Sequence, residues 1–195
     1  MGLSQQNIGL YFGSFNPVHI GHLAIANFMV EFTDIKELWF IISPHNPLKK
    51  KSTLLNDRIR YDLVYEAVKD DTRFRVSDIE FQLPQPSYTI DTLTYLQEKY
   101  PEKQFSIIMG SDGLRTFHKW KNASELVKKY TRYIYPRHGE EKDYILTHEN
   151  VKIVDAPRFE ISSSFIRQAI TEQRDVRHFL PKAVFDAIDK GGYYR

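Results

Sequence analysis

Short apolar runs alternate along this chain with longer segments whose apolar residues recur at helical spacing, and few folds tolerate that rhythm. Ile8 to Phe12 precedes a helical pattern over Ile20 to Phe32, and Leu38 to Ile42 precedes another over Ile59 to Val68. The rhythm resumes with Phe74 to Ile79, a helix-like Thr89 to Tyr100, and strand-like runs at Phe105 to Met109, Tyr133 to Tyr135 and Val151 to Val154. A βαβα opening followed by more of the same predicts an α/β fold, in which a mostly parallel sheet carries helices on both faces. We therefore expect a single Rossmann-like, doubly wound domain over residues 1–195. Ser162-Ser163-Ser164 before the helical Phe165 to Ile170, and Pro181 before Ala183 to Asp189 with Gly191-Gly192 behind it, predict a small helical part over about 162–195.

Composition removes several function classes. The 27 basic residues stand against 25 acidic ones, and a net charge of +2 is too small for a general nucleic-acid binder, so any anion site must be local. The absence of cysteine excludes a disulfide framework, a thiol nucleophile and thiolate-held metal. Residues 1–7 lack a basic start with a long apolar run, and no window reaches the length of a membrane span, so the expectation is a cytoplasmic protein without a membrane partner. The polar stretch Pro136 to Asn150 reads as a long surface connection or a lid, with an ordinary loop the plainer reading.

The local anion site is legible directly after the first strand. Gly13 and Ser14 are small enough to let backbone N–H groups approach a ligand, and Pro17 fixes the turn. His19 and His22 follow at the expected helix start, three positions apart and so on one face, where backbone donors and the helix dipole favour negative charge. Such a pair could equally serve structure or form half of a zinc site. Zinc would need a third ligand and usually a fourth, whereas Gly21 between the histidines allows close approach of another group, and phosphate is the better partner. The segment carries neither the Gly-Lys-Ser/Thr of a P-loop nor Gly-x-Gly-x-x-Gly.

Gly13-Ser14-Phe15-Asn16-Pro17 with His19-Ile20-Gly21-His22 resembles the signature of the nucleotidyltransferase superfamily that carries a His-x-Gly-His motif. Ile161-Ser162-Ser163-Ser164-Phe165-Ile166-Arg167 resembles its second signature, with Ser164 where Thr is usual. Within the superfamily, Pro86-Ser87-Tyr88-Thr89, Gly110-Ser111-Asp112 and Phe117-His118-Lys119-Trp120 resemble, in order and spacing, the bacterial nicotinate mononucleotide adenylyltransferases.

The resemblance implies transfer of AMP from ATP to nicotinate mononucleotide by direct in-line attack, with Mg²⁺ accompanying ATP, in the making of NAD. It implies catalytic roles for His19, His22 and Arg167, and ATP contacts from Gly13, Ser14, Phe15, Gly110, Asp112, Ser163 and Ser164. Lys49 or Lys50, Tyr88, Thr89 and Trp120 would serve the acceptor, and no residue is assigned to a resident metal. Read without the resemblance, Ser162–Ser164 is a helix cap, Trp120 a core residue, Thr89 the cap of the helix that follows, and the lysines a solvated run. The rivals are a related transferase acting on nicotinamide mononucleotide or phosphopantetheine, and a nucleotide sensor without activity. The partners implied are small molecules, with self-association left open.

Overall fold

The computed structural model describes residues 6–44, 54–137 and 150–195. In chain order its elements are β1 (Asn7–Gly13), α1 (Ile20–Phe32), β2 (Glu37–Ile42), α2 (Asp57–Val68), β3 (Phe74–Ser77), α3 (Ile79–Gln82), α4 (Thr89–Lys99), β4 (Gln104–Gly110), α5 (Ser111–Phe117), α6 (Ala123–Lys129), β5 (Arg132–Tyr135), β6 (Val151–Ile153), α7 (Ser163–Thr171) and α8 (Lys182–Gly191). Among the described residues the strands form one sheet in the order β3-β2-β1-β4-β5-β6. Every pairing is parallel, so the expected α/β class holds without an antiparallel strand.

Alternation along the strands sorts the core into two layers, as a sheet covered on both faces requires. Tyr11, Leu38, Phe40, Ile42 and Ile108 face one layer, which they share with Ile25 and Met29 of α1, Leu63 and Val64 of α2, Ile166 of α7 and Val184 and Ile188 of α8. Ile8, Leu10, Trp39, Ile41, Phe105, Ile107 and Met109 face the other, with Ile79, Ile90, Leu93, Leu114 and Leu126 from α3 to α6. The C-terminal helices therefore complete the layer that begins with α1.

Local chemistry sets several boundaries. The Asn56 side chain caps α2 by accepting the Arg58 N–H at 2.9 Å, and Ser162 Oγ caps α7 by accepting the Phe165 N–H at 3.1 Å. Gly192 ends α8 in the left-handed region at φ 63°, where a Cβ would be strained. Two expectations need correction. β3 stops at Ser77 rather than Ile79, because Ser77 Oγ accepts the Ile79 N–H at 3.3 Å and the chain turns there into α3. Thr89 is the first residue of α4 rather than its cap, which falls at the extended Tyr88.

At the N-terminal edges of the strands, Asn7 organises a polar cluster that runs from the buried Ser106 and Tyr133 to the exposed Asp34 and Lys152. Its Nδ2 donates to Asp34 Oδ2 at 3.2 Å and to the Tyr133 hydroxyl at 3.0 Å, while its Oδ1 accepts from Ser106 Oγ at 2.7 Å. Tyr133 donates to Asp34 Oδ1 at 2.5 Å, and Lys152 Nζ reaches that oxygen at 2.9 Å. The hydroxyl and the ammonium hold the Asp34 carboxyl at a pKa of about 2, against the desolvation that would raise it. The cluster pins β1, β4 and β5 at the end opposite the loops that follow the strands.

Candidate active site

Strand β1 pairs with β2 on one side and β4 on the other, so the chain reverses its winding between β1 and β4. A crevice opens outside the carboxyl ends of the strands at such a switch point, the place where open α/β sheets bind ligands. Gly13 ends β1 and Gly110 ends β4, which brings the Gly13–Pro17 loop and the Gly110–Asp112 segment to this crevice.

The loop from Gly13 to Pro17 is held tightly. Phe15 adopts φ 44° although it is not glycine, and its ring, 2 % exposed, packs edge-on against Tyr11, Phe40 and His22 with centroids 5.6, 5.4 and 5.0 Å away. Buried aromatic contacts on three sides offset a backbone conformation that costs about 1–3 kcal/mol. Gly13 faces this ring closely: a Cβ there would lie 2.8 Å from Phe15 Cζ. Asn16 Oδ1 accepts the Leu55 N–H at 3.2 Å and the Tyr194 hydroxyl at 2.8 Å, anchoring the loop to the approach to α2 and to the far end of the chain.

His19 is the N-cap of α1 and His22 its third residue, and the two rings stack with centroids 3.7 Å apart. The His19 backbone N–H donates to His22 Nδ1 at 3.2 Å, which fixes Nδ1 as the acceptor and puts the neutral ring's proton on Nε2. His19 is only 3 % exposed, and its Nδ1 has no hydrogen-bond partner among the described residues. Burial, with the nearby Arg137 guanidinium, lowers its pKa from 6.5 to about 4, so it is neutral at physiological pH. Gly21 permits this packing, since a Cβ there would sit 3.1 Å from His19 Nδ1.

The second signature arrives from the other end of the chain. Arg167 Nη1 donates to the Asn16 carbonyl at 2.8 Å, and Ser163 Oγ donates to the Pro17 carbonyl at 2.9 Å. Arg167 Nη2 reaches Ser164 Oγ at 3.2 Å. Gly13, Ser14, Phe15, His19, His22, Ser163, Ser164 and Arg167 thus surround one loop at the N-termini of α1 and α7.

Asp112 lies in the first turn of α5 and pairs with Arg137, Nη1 to Oδ2 at 3.1 Å, while the Arg137 N–H donates to Ser111 Oγ at 2.9 Å. These side chains cover Gly110: a Cβ there would meet Asp112 Oδ1 at 2.5 Å and Arg137 Cδ at 2.7 Å. A ligand using the space at Gly110 displaces two flexible side chains rather than backbone. Arg137 also joins His19, His22, Tyr135, Phe159 and Ile161 in lining one cleft.

In the second core layer, Tyr88 caps α4 and Thr89 begins it, and Lys121 bridges this helix start to the turn that carries Trp120. Its Nζ lies 4.8 Å from the Tyr88 ring centroid and 2.9 Å from Asp91 Oδ2. Trp120 is half-buried and tilted against Phe117 with centroids 5.1 Å apart, so part of the indole packs on the core and part is exposed. Lys49 and Lys50 lie outside the described residues, as does most of the connection over 136–150. Arg137, Arg60 and Glu80 escaped sequence reading. For Arg137 the available signal was its place two residues after a strand that ends at the crevice. Glu80, 3 % exposed, accepts from Thr92 Oγ1 at 2.8 Å and Ser87 Oγ at 3.0 Å, with burial raising its pKa.

Among the described residues no group of three or more His, Asp or Glu side chains is placed to hold a metal ion. The crevice instead offers imidazole and guanidinium donors at helix N-termini, a set that matches phosphate oxygens. No helix among the described residues is long and apolar enough to cross a membrane.

Comparison with known proteins agrees with this chemistry. The sequence model of the cytidylyltransferase-like family matches residues 10–169, and the chain belongs to that family, a class of nucleotidyltransferases. It is 50 % identical over 190 residues to a protein of Flavobacterium johnsoniae named probable nicotinate-nucleotide adenylyltransferase, covering 96 % of this chain and 98 % of that one. A protein of the same name from Cytophaga hutchinsonii is 46 % identical over 187 residues, covering 96 % and 97 %. Within the class, the family is that of the nicotinate-nucleotide adenylyltransferases. The fold is shared with Plasmodium falciparum nicotinic acid mononucleotide adenylyltransferase complexed with NaAD, at a TM-score of 0.83 and 22 % identity over 97 % of this chain and 98 % of that one.

Proposed function

We propose that this chain transfers AMP from ATP to nicotinate mononucleotide, releasing pyrophosphate and giving nicotinic acid adenine dinucleotide, a precursor of NAD. The observation that carries the reading is the docking of Arg167 and Ser163 onto the carbonyls of Asn16 and Pro17, which gathers both signature segments around one loop. The relatives at 50 % and 46 % identity support the choice of acceptor.

In this reading the acceptor's 5′-phosphate oxygen attacks the α-phosphorus of ATP in line, a P–O bond forms, and the bond to the β-phosphate bridging oxygen breaks. Phosphate oxygens need no general base at neutral pH, so the protein's task is positioning and charge stabilisation. His22, its proton on Nε2, and Arg167 donate to the phosphate oxygens as charge accumulates, and neutral His19 adds a second imidazole at the N-terminus of α1. Gly13, Ser14 and Phe15 supply backbone donors, Ser163 and Ser164 donors from α7. Asp112 takes the ribose hydroxyls once Arg137 releases it, and Gly110 leaves room beside it. Tyr88 and Thr89 recognise the nicotinate carboxylate and Trp120 stacks on the pyridine ring, with Lys49 or Lys50 at the acceptor phosphate. Mg²⁺ enters as part of the MgATP substrate, held by the phosphates.

The reading treats residues 1–195 as one nucleotidyltransferase unit acting in the cytoplasm. Its support for a single unit is that Ile166, Val184 and Ile188 of the helical part share the core layer of α1 and β1.

The test is pyrophosphate release from ATP and Mg²⁺ with each of three acceptors. Nicotinate mononucleotide should give the highest kcat/KM. A preference for nicotinamide mononucleotide or phosphopantetheine would reassign the acceptor, and ATP binding without turnover on any of them would make the chain a nucleotide sensor.

A further inference from the structure

Arg60 of α2 is fully buried, yet it belongs to neither signature. A guanidinium carries five N–H donors, and five acceptors surround this one. Nε donates to the Leu55 carbonyl at 3.0 Å. Nη1 donates to the carbonyls of Ser14 at 2.6 Å and Ser43 at 2.9 Å. Nη2 donates to the Pro44 carbonyl at 3.2 Å and to Asp57 Oδ1 at 2.6 Å. Four of the five are backbone oxygens, drawn from the loop after β1, the exit of β2 and the approach to α2.

Burying a cation among carbonyls is expensive, and a well-packed apolar residue would often stabilise a core as well or better. The arrangement has a geometric consequence instead. In a trans peptide the C=O and N–H point in opposite directions, and the Ser14–Phe15 peptide is trans. Tethering the Ser14 oxygen to Arg60 therefore turns the Phe15 N–H away from the guanidinium. The neighbouring peptide is set in the same way, because the Gly13 carbonyl accepts the Ser43 N–H at 2.9 Å and the Ser14 N–H is directed oppositely. Both N–H groups lie on the loop that Arg167 and the α1 histidines surround.

We infer that Arg60 is a positioning residue which holds the Gly13–Phe15 peptides so that their N–H groups serve the ATP phosphates, and which locks that loop to the exit of β2. The inference rests on the ATP site proposed above. Lysine cannot replace it, since its three donors radiate from one atom and cannot reach carbonyls on three segments.

The experiment titrates a non-hydrolysable ATP analogue into wild type, Arg60→Met, Arg60→Lys and Val64→Ala by calorimetry, with melting temperatures recorded for each. Val64 is buried one turn further along α2 and its apolar side chain cannot hydrogen-bond the loop carbonyls, so it controls for general destabilisation. The expected result is a loss of analogue affinity of about tenfold or more in Arg60→Met, a smaller loss in Arg60→Lys, and unchanged affinity in Val64→Ala below its melting point. In steady-state kinetics the KM for ATP should rise more than the KM for the acceptor. Binding within twofold of wild type by a folded Arg60→Met overturns the inference; should that variant not fold, the same result from Arg60→Lys does so. Failure of wild type to bind the analogue would remove the ATP site itself, and with it this role, whereas tight binding by wild type and variants alike removes only the role of Arg60.

Discussion

Gly13→Ala tests whether the packing of the first loop sets the position of His22. A Cβ at residue 13 would lie 2.8, 2.9 and 3.1 Å from three atoms of the Phe15 ring. The ring must retreat by about 0.6 Å at its nearest point to restore ordinary contact, an overpacking that costs on the order of 1–3 kcal/mol in stability. It has little space to do so, being 2 % exposed and edged by Tyr11, Phe40 and His22. His22, whose centroid is 5.0 Å from Phe15, is the partner nearest the crevice, and the displacement is passed to it. A misplacement of 1 Å at a reacting centre costs about 10²-fold, so a shift of roughly half that predicts about a tenfold fall in kcat. The assay is steady-state pyrophosphate release for wild type, Gly13→Ala, Phe15→Leu and the double variant. Because the clash is with the ring, the double variant should recover part of the loss, a non-additive coupling. Additive effects, or a Gly13→Ala enzyme with wild-type kcat, would refute the reasoning.

His22→Ala should lower turnover by about 10²- to 10³-fold if the imidazole is a preorganised donor to the transition state, and near-normal turnover would remove it from the mechanism. The buried neutral His19 makes stability depend on pH: its folded pKa of about 4 lies below the ordinary 6.5, so the unfolded chain binds the extra proton. Its contribution is complete above about pH 6.5 and declines as pH falls toward 4, by on the order of 3 kcal/mol in total. Urea unfolding at pH 7.5 and 4.5 should show wild type losing more stability than His19→Asn, and parallel losses would contradict this. Asn7→Ala, at the opposite end of the sheet, should cost about 1–3 kcal/mol by stranding the buried Ser106 hydroxyl, with kcat unchanged below the melting temperature. A kcat that falls with stability would show that the cluster reaches the crevice.

The parallel sheet was legible because its inner strands are nearly continuous apolar runs, Leu38 to Ile42 without a break and Phe105 to Met109 broken only by Ser106, buried on both faces. Ile79 misled the reading of β3 by extending the run, since periodicity cannot register a serine hydroxyl capturing an amide two residues on. Helices α5 and α6, seven residues each, are too short to display a helical period. At the site, His19 and His22 were legible because their chemistry is local, a small-residue loop and a helix start, whereas the Ser162–Arg167 segment on its own reads as a helix cap and only its resemblance tied it to the first loop. Arg60 and Tyr194 were not, for their partners lie 46 and 178 residues away, and nothing in their own neighbourhoods distinguishes them from ordinary helical or terminal residues. The Asp112–Arg137 pair stayed hidden for the same reason, joining two strand ends across 25 residues.

The central claim is a direct transfer, in which the crevice positions two phosphates and no side chain carries the adenylyl group. ATP made chiral at the α-phosphorus by sulfur substitution, turned over with nicotinate mononucleotide, tests it most directly. A single in-line displacement predicts inversion of configuration at phosphorus in the dinucleotide product. Retention would require two displacements, hence a covalent adenylyl-enzyme, and would contradict the account.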